Sequence, residues 1–203
     1  LSPEGVYYGN AGTGAREFGL QKHPDQLGAL VHLPLGREPD APTRRSYERR
    51  YAIVDPHKAA FAGHTGGEFL LASTRMHDRD GWRKDWATAE ASRYADPEWI
   101  QIYESSGRDL PFYVTTHGLF AQAILETIVS TWWERLDLAA CVPWPGTVRF
   151  SNVRTPLGVT VSGEVTDGQG TAVLEAWKDT SLGYQNRTIT LVKGERVTVS
   201  IGR

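Results

Sequence analysis

Apolar side chains fall at positions 119, 120, 123, 124, 128, 129, 132, 133 and 136, the three-and-four spacing of a helix with one broad buried face. This predicts the longest helix of the chain over 116–136, with Thr115 or Thr116 able to cap its start and Pro143, Pro145 and Gly146 ending any continuation. Beyond it the period changes from three-and-four to two. The segments "TVRFSNV", "GVTVSGEVT", "AVLEAWKDT" and "RTITLVKGERVTVSI" are separated by the turn formers "TPLG", "DGQG" and "SLGYQN", as expected of antiparallel strands with one covered face. Upstream, "GEFLLASTRM" reads as a strand closed by Asp80 and Gly81, and "WRKDWATAEASRYA" as a helix that breaks before Pro97. Residues 1–65 are rich in Gly, Pro and Arg with little periodicity; "GALVHLPL" and "SYERRYAIVD" suggest short strands in an N-terminal extension or arm, ahead of a domain at 66–203.

Charge narrows the function classes. With 22 basic and 24 acidic residues, a net charge of −2 gives no electrostatic footprint for nucleic acid or an anionic membrane surface. No run approaches the roughly 18 apolar residues of a membrane helix, and no signal peptide is visible, although the chain begins with Leu1 and not Met. A single cysteine, Cys141, excludes an intrachain disulfide and suits a reducing compartment, so a cytoplasmic protein is expected. Cys141 lies in "LAACVPWPG", an apolar stretch that reads as packing. His57, His64 and His77 are too irregularly spaced for a zinc site. Seven tryptophans suit core packing, and also an aromatic pocket or a dimer interface.

The order of elements, a strand, a helix, one long apolar helix and then an antiparallel meander that would wrap it, resembles the hot-dog fold. Within that fold it resembles the MaoC-like acyl-thioester hydratases and dehydratases, over 66–203. The pieces are "VTTHGLFAQAILETIVSTWW" for the family's His-Gly helix start, "VRFSNVRTPLG" for the strand and loop after it, and "VTVSGEV" with "TITLVKGERVTV" for the closing sheet. The resemblance implies an α+β hot-dog domain, usually dimeric, acting on an acyl chain carried by coenzyme A or an acyl carrier protein, with no cofactor and no metal.

It also implies the site. His117 and Gly118 would line the pocket, with backbone N–H groups of the helix start facing the thioester carbonyl; alternatively His117 caps the helix or hydrogen-bonds a neighbouring strand. The family pairs an Asp with a His five residues later. Here Asp96 falls on the Asp and Gln101 on the His, and Gln does not titrate, so the usual dyad is broken. Asp96 and His117 are the expected catalytic residues; Gly118, Gln101, Tyr103, Trp99 and Thr116 are the expected substrate contacts. His77, Tyr94 and Glu104 are further candidates for the missing partner. A lyase is therefore one expectation. A dyad-lacking cyclase that works by positioning a polyketide-like intermediate, and a non-catalytic hot-dog subunit, are the others.

Overall fold

A computed structural model describes residues 1–7, 25–32, 39–54, 63–92, 95–96, 98, 101–103 and 114–202. Among these the chain is a mixed α+β protein that divides into two units, Leu1–Ile124 and Leu125–Arg203.

In the first unit a 3-10 turn, Asp25–Leu27, leads into α1 (Gly28–Val31), followed by α2 (Ala41–Val54), α3 (Gly63–Arg75) and α4 (Arg79–Glu90). Two stretches expected as short strands are thus helical: "GALVHLPL" begins as α1, and "SYERRYAIVD" lies mostly in α2. The local chemistry explains α2. Asp40 accepts from the Thr43 amide at 2.8 Å and from its hydroxyl at 2.6 Å, which caps the helix start, and Pro42 sits in the first turn, where its missing N–H costs nothing. Tyr47 and Tyr51, one turn apart, are buried with their rings edge-on to Phe69 of α3, at 5.6 and 5.3 Å.

"GEFLLASTRM" is also corrected, from strand to helix α3. Every residue of α3 except His64 is buried, and a helix enclosed on all sides loses the periodicity that separates it from a buried strand. α4 appears close to its expected place, with Asp78 as its cap accepting from the Gly81 amide at 2.9 Å. Trp82 of α4 stacks on Trp86 at 5.2 Å.

The long helix is shorter than its apolar pattern. α5 spans Val114–Ile128, so Thr115 and Thr116 lie inside its first turn and do not cap it. The rest of the pattern becomes a hairpin, β1 (Val129–Trp132) and β2 (Arg135–Leu138), turning at Trp133 with φ +52°. Val129, Thr131 and Trp132 are strand formers, and they end the helix.

The second unit holds the strands β3 (Thr147–Arg154), β4 (Val159–Thr166), β5 (Gln169–Ala176), β6 (Thr180–Tyr184), β7 (Arg187–Leu191) and β8 (Arg196–Ile201); the stretch "SLGYQN", expected as a turn, instead supplies most of β6, and its last two residues make the turn into β7. The strands form two four-stranded sheets, ordered β1-β2-β6-β7 and β3-β4-β5-β8, antiparallel except between β2 and β6. Their inward residues make one apolar core, including Leu136, Val161, Leu174, Leu182, Leu191 and Val199. Tyr184 ties the sheets by donating to the Ser200 carbonyl at 2.7 Å. Alternation tells which face of a strand is buried but not which sheet it joins, so the expected meander is here divided between two sheets.

Candidate functional site

The site residues expected from the sequence meet in the first unit, where the start of α5 approaches the turn that carries Asp96. Ala95 bridges Ile102 in antiparallel fashion, and the Asp96 amide donates to the Gln101 carbonyl at 2.9 Å. The Ile102 amide then donates to Nε2 of His117 at 3.3 Å. Asp96, Gln101, Tyr103, Thr116 and His117 are therefore neighbours along two linked segments. Trp99, Tyr94 and Glu104 lie outside the described residues.

The histidine has a defined job. Accepting a backbone N–H requires a lone pair on Nε2, so the ring proton of the neutral imidazole sits on Nδ1. His117 thereby fastens the Asp96 turn to the helix. The half-buried Asp96 accepts the Glu98 amide through Oδ1 at 2.9 Å, a local turn bond. Among the described residues its other carboxyl oxygen has no partner. His77 is displaced from the site altogether: it follows the far end of α3, whose thirteen residues span about 20 Å at the helical rise per residue.

Among the described residues, two polar atoms at this junction have no partner. Gln101 Oε1 and Thr116 Oγ1 are enclosed without a hydrogen-bond partner, and Thr116 is 0 % exposed. Each belongs to a residue adjacent in sequence to one end of the Ile102–His117 bond. Gly118 is exposed, and a Cβ there would meet nothing within 4 Å, so packing does not demand glycine at that position.

The start of α3 completes the junction, and sequence reasoning missed it. A Cβ on Gly63 would stand 2.3 Å from the Tyr103 carbonyl oxygen, and one on Gly67 would stand 2.8 Å from the Leu119 side chain; these glycines let the turn and α5 approach the helix backbone. The crevice bounded by Gly63, Gly66, Ala95, Ile102 and Phe120 leaves no room for a water. On an adjacent ridge of α3, buried Glu68 meets Nε2 of His32 at 3.0 Å and Nε2 of His64 at 3.8 Å. The signal for both features was "GHTGGE" at 63–68, with its small residues at helical spacing and its His and Glu four apart. Reading it as the approach to a strand hid that spacing.

Among the described residues no group of three His, Cys, Asp or Glu side chains is placed to hold a metal ion, and no helix is long and apolar enough to cross a membrane. No protein-family model matches the chain, and no curated protein matches its sequence.

Proposed function

We propose that the chain is a lyase for a β-hydroxyacyl or enoyl thioester, or a related polyketide-type intermediate, in which Asp96 is the single acid–base group. The observation that carries this reading is that, among the described residues, Gln101 Oε1 and Thr116 Oγ1 have no partner, each one residue from an end of the Ile102–His117 bond that holds the Asp96 turn to α5. Buried polar atoms are nearly always partnered, so the two mark a place that receives a ligand hydroxyl or a water.

The chemistry needs only one titrating group. The free carboxylate oxygen of Asp96 takes the α proton of a β-hydroxyacyl thioester. The resulting enolate oxygen is held by amides of the first turn of α5, which have no helical acceptors of their own. The protonated carboxyl returns the same proton to the β-hydroxyl, which leaves as water while the carbon–carbon double bond forms. Hydration is the reverse. Gln101 accepts from the substrate hydroxyl, and His117 keeps the turn against the helix. Coenzyme A or an acyl carrier protein would deliver the acyl chain, to a monomer or to a homodimer.

The hot-dog reading gains no separate support from the second unit, whose core lies between two sheets, so the proposal rests on the site of the first. One observation favours a reading without proton transfer: Nε2 of His117 is already engaged, which suits a site that holds a polyketide-type intermediate for cyclisation by position alone. Turnover of crotonyl and 3-hydroxybutyryl thioesters, followed by mass spectrometry, separates the two. The lyase reading expects Asp96→Asn to lower turnover by about 100-fold or more and His117→Ala to lower it less. Absence of any turnover by the folded protein overturns it.

A further inference from the structure

The most enclosed acid among the described residues is one that the proposed reaction does not use. Asp85, on α4, is 0 % exposed. The Tyr47 hydroxyl of α2 stands 2.8 Å from both of its carboxyl oxygens, and the Ser73 hydroxyl of α3 supplies a further bond. Its partners are thus neutral hydroxyls, and among the described residues no cation is paired with it. Lys84, the adjacent residue, instead places its ammonium over the Tyr51 and Tyr47 rings, at 3.7 and 5.0 Å. The other charged group that bears on it is Asp78, which repels. An unpaired charge in such a place is costly, whereas a neutral acid with hydroxyl partners is not.

We propose that Asp85 is a proton-operated latch on the packing of α2, α3 and α4: neutral, it closes the three helices on one another, and ionised, it loosens them. Burial pushes the Asp85 acid up from 3.8 to about 7; the Tyr47 and Ser73 hydroxyls and Lys84 oppose that rise, and Asp78 adds to it. Tyr47 is driven far above its usual range by burial and by Asp85, so its phenol stays a donor throughout. Tyr47 also lines a cleft of about 320 Å³, together with Arg44, Met76, Gly81 and Lys84.

The direction of the effect follows from the raised value. The contribution of Asp85 to stability is complete below its unfolded pKa of 3.8, is lost as pH rises toward about 7, and does not change further above that. Within this window the folding equilibrium constant of the unit falls by up to about tenfold per pH unit. The test uses the full chain. Carbon-13 NMR of the Asp85 carboxyl is expected to titrate with a midpoint near 7, and amide exchange in α2–α4 is expected to accelerate from pH 5 to 7.5 relative to Asp85→Asn. A midpoint near 4 overturns the proposal. So does an identical pH dependence in the wild type and in Asp85→Asn; should that variant fail to fold, the NMR midpoint alone decides.

Discussion

The two units solve the problem of an interior in opposite ways. The core of the second is apolar to its centre, with Val159, Val161, Leu174 and Leu182 at 0–1 % exposure. The core of the first sets Phe69, Leu70 and Leu71 beside buried Arg50, Glu68, Ser73, Thr74, Arg75 and Asp85. Arg75 is satisfied by main-chain carbonyls, donating to Leu30 and Val31 at 2.8 and 2.6 Å. Apolar burial is non-directional and indifferent to pH, whereas a buried polar group specifies its partner and reports its protonation state. A two-sheet sandwich closes on strand patterning alone; short helices that bury little apolar area depend on named pairs. Stability is therefore expected to be insensitive to pH in the second unit and sensitive in the first.

The largest expected effect tests the apolar side of this contrast. Leu174→Ala removes a fully buried side chain from the centre of β5, and large-to-small changes in such places cost about 3 kcal/mol. The loss, followed by amide exchange in β4, β5 and β8, is expected to be the same at pH 5 and pH 8. A loss that changed with pH would show that titration reaches this core too, and the contrast would fail.

Gly63→Ala comes next. Its new Cβ would stand 2.3 Å from the Tyr103 carbonyl, a main-chain atom that cannot swing aside, so the turn carrying Asp96 has to shift. Local overpacking of this kind costs about 2 kcal/mol. Amide exchange at Ile102 is expected to rise as its bond to His117 lengthens. Unchanged exchange would mean that α3 does not set the position of the turn.

Tyr47→Phe follows, and its cost depends on pH. Near pH 8, where Asp85 is ionised, the lost donor served a charged acceptor, worth about 2 kcal/mol; near pH 5 it served a neutral acid, worth about 1 kcal/mol or less. Denaturant unfolding at the two values measures the difference. Equal losses would place Asp85 in one protonation state throughout.

The same contrast explains what could be read from the sequence. Strands β3, β4, β5, β7 and β8 were visible because their apolar and polar residues alternate between turn formers; β6 was hidden inside "SLGYQN", which reads as a turn, and the division into two sheets was hidden because it depends on long-range partners. In the first unit α3 was read as a strand because nearly all of its faces are covered, and α2 was missed because its buried positions include Tyr47, Ser46 and Arg50, residues that do not spell an apolar face. Of the candidate site, Asp96, Gln101 and His117 were legible as residues and are linked through backbone bonds. The contributions of Gly63 and Asp85 were not, since they become visible only when a neighbour is placed against them.

The smallest expected effect separates the two uses of a glycine. Gly63 is held by contact, whereas Gly118, the fifth residue of α5, faces open space. Helix propensity then predicts that Gly118→Ala raises the stability of the first unit by about 1 kcal/mol, because alanine loses less backbone freedom on folding and the new methyl group meets nothing. If the space beside Gly118 is where an acyl carbonyl approaches the amides of α5, the same methyl group stands in its way, and turnover falls while stability rises. A variant that is more stable and equally active would leave Gly118 with no role in binding and move the ligand to the other side of the His117 turn, toward Gln101.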